Sequence, residues 1–402
     1  MFRAPGGADR RALEATLELS RSLTFYENRW SEEQARVRTF AKLPSLPFLE
    51  KLDAAAHQED LRVPGSRLQI GVVSSATTRE GRPLRVLQGD VVPRPEANGP
   101  VRTLRVQSPR HGLSRSANAG ELVFYATLHE NTIDVLRDLL EEHRPRALVA
   151  PVSTLKWVTV ALEERGLVPQ QFGLSVVGTT GYLLTRAARR WLEIAWGAPF
   201  LDNWSMSELD GFAHPCKACG HAHWVGAPTW FELIDATTQR PTRHDFGELV
   251  ATTLLPHGAS MPLVRYRTGD LIMRGPLCRG RGRRGMRFLG RSQMSAIRQG
   301  RPLALSGELQ EVGESLPDIA QVLHPAERLG LVPVSDIGVP KLRARQGGSG
   351  WIVDAELRFD PGRFPARANV VRELIAARVH RDVRIILHRP GTLDLSRLAR
   401  KL

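Results

Sequence analysis

The stretch ELVFYATLHENTIDVLRDLLEEHRPRALVAPVSTLKWVTVALEERG, residues 121–166, decides the fold. Two short apolar runs predict strands at Glu121–Thr127 and Ala147–Ser153, and two amphipathic segments predict helices at Thr132–Pro145 and Thr154–Gly166. Strands that alternate with helices of roughly 10–15 residues favour a mostly parallel sheet covered by helices. Ligands of such sheets bind at the carboxyl ends of the strands, so we expect a functional site there.

The same alternation extends to both sides of this stretch. Leu68–Val86 predicts two strands joined by a loop rich in serine and threonine. Leu174–Gly181 predicts a strand that runs into a turn and is followed by a helix. Upstream, residues 11–40 have apolar and charged positions at helical spacing, which predicts one or two surface helices. This part of the chain therefore has an α/β pattern.

The pattern changes after about residue 290. A strand at Trp351–Phe359, a helix around Ala366–Val379 and a strand at Val383–His388 follow the stretch RQGGSG, Arg345–Gly350, which is expected to be flexible. These elements predict a small, separate α+β domain at the C-terminal end.

The composition excludes several classes of protein. A hydrophobic fraction of 42% with 24% charged residues is typical of a globular chain and excludes a disordered or fibrous one. No run approaches the ~20 apolar residues of a membrane span. No apolar run of a signal peptide follows the N-terminal basic residues. Three cysteines are too few for a disulfide framework in a chain of 402 residues. We therefore expect a cytoplasmic protein that is not bound to a membrane.

The net charge of +14 does not indicate nucleic-acid binding. Six of the 56 basic side chains are lysines, and the arginines are spread along the whole chain apart from one dense run at Arg279–Arg284. No zinc-finger, helix-turn-helix or RNA-recognition signature accompanies that run. A coding bias towards arginine is the simpler explanation, and it leaves few candidates for a catalytic ammonium group.

Three motifs have side chains suited to a nucleotide. SSATTREGR, Ser74–Arg82, is a hydroxyl-rich loop between two predicted strands whose N–H and O–H groups can surround a polyphosphate, although such loops are also common as solvent turns. In NWSMSELDG, Glu208 can hold Mg²⁺ and Trp204 can lie against a flat base. In RYRTGD, Asp270 is expected at a turn after a strand, where its carboxylate can bind two ribose hydroxyls.

These motifs, in this order, resemble those of the adenylate-forming superfamily, and the run MPLVRYRTGDL is similar to its phenylacetate–CoA ligase branch. The resemblance extends from about residue 15 to the end of the chain. It implies an α/β fold with a large N-terminal adenylate-forming domain at residues 1–290, built of mixed β-sheets flanked by helices, and a small C-terminal α+β lid domain at residues 291–402. It also implies an ATP- and Mg²⁺-dependent ligase that activates a small carboxylic acid.

The resemblance assigns roles to individual residues. Glu208 is similar to the Mg²⁺-binding glutamate, and Arg397 or Lys401 lies near the place of the closing catalytic lysine. Gly178, Thr179 and Thr180 are expected to form the turn that frames adenine. The full nucleotide-binding set is Ser74, Ser75, Thr77, Thr78, Gly178, Thr179, Thr180, Trp204, Ser207, Asp270 and Arg291.

The cysteines predict a metal site. Cys216-x-x-Cys219 is followed closely by His221 and His223. In a cytoplasmic protein this pattern indicates a zinc site more than a disulfide. Three reduced cysteines in loops remain the alternative. The branch often has a Cys/His pair here and further cysteines later, where this chain retains Cys278. The resemblance therefore implies a structural Zn²⁺ held by Cys216, Cys219, His223 and Cys278.

Two departures from the family leave alternatives open. The hinge motif reads GRSQMS from Gly290, with Gln293 and Met294 at the two acidic positions, and the closing motif has Arg397 near the usual lysine. The branch favours aryl acids, and the acceptor is CoA, a carrier-protein thiol or an amine. The alternatives are an acyl-protein synthetase-like enzyme and a catalytically weakened nucleotide-binding homologue that acts as a partner subunit. A homodimer is also left open.

Overall fold

The computed structural model describes residues 2–66, 70–73, 85–88, 102–107, 120–209, 211–256, 260–348 and 350–395. The described residues form two compact units. The first contains those before residue 93 together with Trp204–Phe288, and the second contains those between 102 and 203 together with those from Leu289 onward. None of the described helices has the length and apolar content that a membrane span needs.

The structure gives the following bounds. The described helices are α1 (Gly7–Arg21), α2 (Thr24–Glu27), α3 (Glu32–Ala35), α4 (Lys51–Ala56), α5 (Thr132–His143), α6 (Val152–Glu164), α7 (Arg186–Trp196), α8 (Ser306–Ser315), α9 (Pro325–Arg328) and α10 (Pro365–Ala376). The described strands are β1 (Ile70–Val73), β2 (Arg85–Gln88), β3 (Thr103–Gln107), β4 (Glu121–Tyr125), β5 (Ala147–Pro151), β6 (Val176–Thr180), β7 (Phe200–Asp202), β8 (Trp204–Ser205), β9 (Gly211–Pro215), β10 (Ala222–Gly226), β11 (Thr229–Ile234), β12 (Phe246–Thr253), β13 (Tyr266–Cys278), β14 (Arg283–Arg291), β15 (Ala296–Arg298), β16 (Arg301–Ala304), β17 (Gln321–Val322), β18 (Val339–Pro340), β19 (Leu342–Gly347), β20 (Gly350–Glu356) and β21 (Val383–His388).

The predicted parallel sheet lies in the second unit. Its five strands have the order β4-β3-β5-β6-β7, and every pair is parallel. The helix α6 is buried from Val152 to Leu162, so it lies inside the layer that covers this sheet. It begins two residues before the predicted start, because the strand before it ends at Pro151. The alternation of strands and helices expected from the sequence is confirmed.

The first unit has a different sheet. Seven antiparallel strands follow the order β11-β12-β13-β14-β10-β9-β8. All eight residues of β12 are buried, which fits a strand at the centre of a core. Side chains of α1 and α2, including Leu13, Leu17 and Tyr26, belong to the same hydrophobic core. The chain therefore combines a parallel and an antiparallel sheet with helices, as the mixed-sheet fold class implied.

The C-terminal elements have a core of their own within the second unit. The strands β19, β20 and β21 form a small sheet, and apolar side chains between Ala296 and Val383 pack together around it. Within the stretch RQGGSG, Arg345–Gly347 end β19 and Gly350 begins β20, and Gly347 pairs with Gly350. A domain boundary near residue 290 stays a prediction.

A buried ion pair connects α6 to α8. Lys156 Nζ lies 3.0 Å from Glu314 Oε1, and both side chains are almost completely buried. The hydroxyl of Thr185, which also caps α7, donates to Glu314 Oε2 at 2.5 Å. Apolar side chains of the segment after α8, Ala326, Val332 and Ile337, lie in the core around the parallel sheet. Some residues after 290, in α8 and in the segment up to Ile337, thus pack against the α/β core that the sequence assigns to the N-terminal domain.

We predict that Lys156→Met lowers the free energy of unfolding by about 3–5 kcal/mol, because it leaves the Glu314 carboxylate buried without a counter-ion. The double variant Lys156→Met/Glu314→Met should recover much of this loss, since neither charge remains. Arg137→Met, which breaks an exposed pair with Asp138, is the control and should cost less than about 1 kcal/mol. Denaturant unfolding measures all three. A Lys156→Met variant as stable as the control would contradict the argument.

Candidate functional site

The motif RYRTGD lies at the start of β13 and contains a β-bulge. Val250 pairs with Arg267 and Glu248 with Leu271, so Thr268–Asp270 oppose a single residue, Leu249. Gly269 has a left-handed backbone (φ 72°), which a residue with a Cβ rarely adopts. The bulge redirects the side chain that follows it, Asp270. The prediction that Asp270 lies at a turn after the strand is therefore wrong: it lies within a 13-residue strand.

The bulge brings Asp270 to Trp204. The indole Nε1–H of Trp204 donates to Asp270 Oδ2 at 3.0 Å, across 66 residues of sequence. One face of the Trp204 ring is stacked on Phe288, with centroids 4.5 Å apart and ring planes 9° from parallel. Trp224 also lies near this ring, with its centroid 6.0 Å away. The face that Phe288 covers is closed to a base.

Glu208 is buried beside the same strand, where a lysine holds it. Its carboxylate Oε1 lies 2.6 Å from Lys51 Nζ and accepts a hydrogen bond from the Tyr266 hydroxyl at 3.0 Å. Burial alone would raise the pKa of Glu208, but the Lys51 ammonium, helped by hydrogen bonds, holds that pKa below its ordinary value. Glu208 is therefore ionised at neutral pH.

The two arginines of the motif fix β13 to its surroundings. Arg267 bonds both oxygens of Glu248 (2.9 and 2.8 Å) and one of Glu50 (2.8 Å). Arg265 Nε lies 3.2 Å from the buried Glu232. The arginines thus hold the strand in place, while Tyr266 and Asp270 contact the candidate site residues Glu208 and Trp204.

In the second unit, Gly178, Thr179 and Thr180 are the last residues of β6 and not a turn, which corrects the expectation for them. Val149 lies only 3.2 Å from where a Cβ of Gly178 would be. Thr179 Oγ1 donates at 3.1 Å to Oδ1 of Asp202, the last residue of the neighbouring β7. These residues therefore lie at the carboxyl edge of the parallel sheet, where the topology predicts a ligand site.

Asp202 has an unusual charge state. Burial raises its pKa to about 6, although the Thr179 hydroxyl and the charge of Arg189 act in the opposite direction. This carboxyl is consequently protonated in a much larger fraction of molecules near neutral pH than an exposed aspartate.

The remaining predicted residues fall into two groups. Ser207 lies in the turn after β8, and Arg291 ends β14, where its N–H donates to Ser306 Oγ at 2.7 Å. The phosphate-loop residues Ser74, Ser75, Thr77 and Thr78 lie outside the described residues, as do Arg397 and Lys401. The flanking strands β1 and β2 are paired in antiparallel register, from Val73 opposite Arg85 to Ile70 opposite Gln88, as the sequence predicts for a strand–loop–strand unit.

The structure brings the four predicted zinc ligands together in the first unit. The ligand atoms of Cys216, Cys219, His223 and Cys278 all lie within 4.8 Å of one another. Cys216 Sγ is 4.0 Å from Cys278 Sγ, and Cys219 Sγ is 3.2 Å from His223 Nε2. These separations suit one tetrahedral Zn²⁺, whose bonds are about 2.3 Å to sulfur and 2.0 Å to nitrogen.

Backbone geometry favours the thiolate that a metal requires. The N–H groups of Ala218 and Cys219 point at Cys216 Sγ, and the first of them is the main reason that the pKa of Cys216 falls to about 7. The other nearby histidine, His221, turns its Nδ1 to the Cys219 carbonyl at 2.7 Å. Its ring lies against Gly275, where a Cβ would be 2.4 Å away. His221 is thus placed outside the ligand cluster.

Comparisons with known proteins find a partial sequence similarity and a shared fold. A stretch of 167 residues is 29% identical to a phenylacetate–coenzyme A ligase of Aromatoleum evansii, covering 40% of this chain and 37% of that ligase. The fold is similar to that of 2-hydroxyisobutyryl-CoA ligase in an open conformation, with a TM-score of 0.66 and 15% identity over 96% of this chain and 88% of that one. The same ligase in its thioesterification state gives a TM-score of 0.58, with 16% identity over 98% and 89% of the two chains. The matched stretch is thus similar to part of a phenylacetate–CoA ligase, and the fold is similar to that of an acyl-CoA ligase. No protein-family model matches it.

Sequence reasoning missed three residues of the candidate site. Lys51 is far from every motif, and its only signal was the scarcity of lysine. Tyr266 lies inside the quoted motif, but only the structure shows that its hydroxyl binds Glu208. Asp202 directly precedes the NWSMSE motif, and its position at the end of a predicted parallel strand could have identified it.

We predict that Asp202→Asn stabilises the protein at pH 7. Because the folded-state pKa of Asp202, about 6, lies above the ordinary value of 3.8, protonation favours the folded state. The wild-type free energy of unfolding should therefore fall as pH rises from about 4 to 6. The neutral amide should remove this slope and add about 2 kcal/mol at pH 7. Thermal and urea unfolding between pH 4 and 8 measure the effect, with the exposed Asp138→Asn as control. An unchanged slope would show that Asp202 does not titrate abnormally.

Proposed function

We propose that this chain is an ATP-dependent ligase that activates a carboxylic acid as an acyl-adenylate and passes the acyl group to an acceptor. The observation that carries the proposal lies in the first unit, where two distant motifs meet. Trp204 binds Asp270, and Tyr266 binds Glu208, each at 3.0 Å. The fold shared with an acyl-CoA ligase supports the same activity.

The proposed reaction has two balanced steps. A carboxylate oxygen attacks the α-phosphorus of ATP, the bond to the β-phosphate oxygen breaks, and pyrophosphate leaves. A thiol or amine then attacks the acyl carbon, loses its proton to solvent, and AMP leaves. The protein contributes position and charge and forms no covalent bond with the substrate.

Asp270 and Trp204 suit the nucleoside part of ATP. The Trp204 N–H holds one oxygen of the Asp270 carboxylate at 3.0 Å and fixes its orientation. A carboxylate held in this way can accept hydrogen bonds from two ribose hydroxyls. The phosphate-loop hydroxyls at Ser74, Ser75, Thr77 and Thr78 and a terminal cation, Arg397 or Lys401, are proposed to bind the phosphates.

Glu208 is the proposed Mg²⁺ residue. The Lys51 ammonium, 2.6 Å from Glu208 Oε1, shows that this carboxylate already holds a cation, so the site fits a positively charged group. Mg²⁺, when bound, offsets charge on the phosphates of ATP.

The substrate class follows from the relatives' names. Phenylacetate in the name of the sequence relative supports an aryl acid. CoA, which is present in the complexes of the solved ligase, supports CoA as the acceptor. A carrier-protein thiol or an amine is the alternative, because Gln293 and Met294 replace the acidic residues of the family's hinge. We also propose that residues 291–402 form the lid domain.

One observation favours a second candidate function, a nucleotide-binding homologue with weakened activity. Glu208 is neutralised by Lys51 and buried, so a metal has to compete for it. Such a subunit would bind ATP without exchanging pyrophosphate.

We further propose that Cys216, Cys219, His223 and Cys278 hold a structural Zn²⁺. Three thiolates and one imidazole form a closed ligand set with no open position for chemistry. The ion would connect the β9–β10 turn to the end of β13 and so stabilise the first unit.

Elemental analysis should find one zinc per chain. Cys278→Ser should lower the zinc content to near zero and the thermal midpoint by several degrees, because a closed site contributes folding energy. His221→Ala is the matched control, since His221 lies beside the cluster but turns its Nδ1 to a backbone carbonyl. Metal-free protein of normal stability would reject the site.

The test of the ligase is ATP–pyrophosphate exchange with a panel of aryl and aliphatic acids. Glu208→Gln should lower exchange by about 10²–10³-fold, since an amide cannot balance the metal charge. Glu130→Gln, which changes an exposed glutamate of the second unit, is the control and should retain activity. Unchanged exchange in Glu208→Gln would reject its role. Tight ATP binding by the wild type without exchange for any acid would select the weakened homologue.

A further inference from the structure

Lys51 has a position that the proposed reaction leaves unexplained. It is the first residue of α4, and its Nζ lies 2.6 Å from Oε1 of Glu208. The side chain of Lys51 is 14% exposed and that of Glu208 only 2%. The Lys51 side chain thus extends from near the surface to the buried carboxylate of Glu208. Glu208 is also the residue proposed to bind Mg²⁺.

We propose that Lys51 is a tethered counter-ion of Glu208, which a divalent cation displaces when it binds to this carboxylate. This inference rests on the proposed function, because that function assigns Glu208 to the metal. It adds a positioning residue and a competition between two cations.

The first argument is the cost of an unpaired charge. An ionised carboxylate that is almost completely buried needs a positive partner. Tyr266 donates one neutral hydrogen bond to Oε1, so Lys51 supplies the charge. Without Lys51, the Glu208 carboxylate would be an uncompensated negative charge whenever no metal is bound to it.

The second argument is mutual exclusion. Mg²⁺ binds carboxylate oxygens at about 2.0–2.1 Å, and the ammonium is 2.6 Å from the same carboxylate. Two cations this close to one oxygen repel each other strongly where water is scarce. One of them therefore has to leave, and Lys51 can do so because its flexible four-carbon side chain begins near the surface.

The consequence concerns how the metal enters. A bare divalent cation has to displace the ammonium without compensation, so it should bind the free protein weakly. A nucleoside triphosphate brings negatively charged phosphate groups together with the metal. The released Lys51 ammonium can form an ion pair with these phosphates. Tyr266 is neutral and can keep its hydrogen bond to Glu208 throughout the exchange of cations.

The test is binding of Mn²⁺ alone, without nucleotide or acid, followed by electron paramagnetic resonance of the free ion. Lys51→Met should bind Mn²⁺ at least tenfold more tightly than the wild type, because no tethered cation competes. Lys42→Met, which changes an exposed lysine, should match the wild type. Lys51→Met/Glu208→Gln should lose the gain. A Lys51→Met variant that binds Mn²⁺ no better than the wild type would overturn the inference.

A second measurement needs no variant, in case Lys51→Met does not fold. Wild-type protein is acetylated with acetic anhydride, with and without saturating Mn²⁺, and each lysine is quantified by mass spectrometry. Lys51 should react at least threefold faster with Mn²⁺, since the metal releases its amine, while Lys42 should not change. Equal rates at Lys51 would show a fixed structural pair and reject displacement.

Neither measurement uses turnover, so the two proposals fail separately. Tighter Mn²⁺ binding in Lys51→Met by a protein that exchanges no pyrophosphate would support the counter-ion and reject the ligase. Loss of exchange in Glu208→Gln, with Mn²⁺ binding unaffected by Lys51, would support the ligase and reject the counter-ion.

Discussion

The first unit depends on the pairing of charges buried along one strand, β13. Arg265, Arg267 and the Tyr266 hydroxyl each meet a buried carboxylate from a different part of the unit. Burying a charge without a partner costs several kcal/mol. Breaking any of these contacts would therefore be costly, so they hold β13 against β11, β12 and the loop with Glu208. The strand thereby determines the positions of two candidate site residues: Asp270 belongs to it, and Glu208 accepts a hydrogen bond from its Tyr266.

The two buried acids of the candidate sites have opposite charge states for a clear reason. Glu208 has an ammonium partner at 2.6 Å and remains ionised. Asp202 has hydrogen bonds to the Thr179 hydroxyl and the Leu184 backbone and lies near the charge of Arg189, but burial outweighs these and raises its pKa. The same functional group is thus kept charged in one unit, where an ammonium touches it, and drawn towards the neutral form in the other, where burial dominates.

The sequence was sufficient to predict those features of the fold and the site that depend on a local pattern of residues. Apolar periodicity located β5, α6 and the C-terminal β21, and Cys-x-x-Cys spacing indicated Cys216 and Cys219, because these signals lie within a few residues. Cys278, 59 residues after Cys219, entered the predicted ligand set only through the family resemblance. The sequence placed Asp270 in a turn because a bulge near the start of a long strand depends on the register of its partner, here β12. It missed Lys51 because that lysine meets Glu208 across 157 residues of chain, and no local pattern encodes such a contact.

The packing around Glu314 has a consequence for how the polypeptide can move. A swing of the C-terminal segment about Gly290 would tear Glu314 from Lys156 and Thr185 and draw Ala326 and Val332 out of an apolar core into water. That core also supports the parallel sheet. Movement of residues 291–402 as a lid therefore carries the cost of breaking this ion pair and of exposing these apolar side chains.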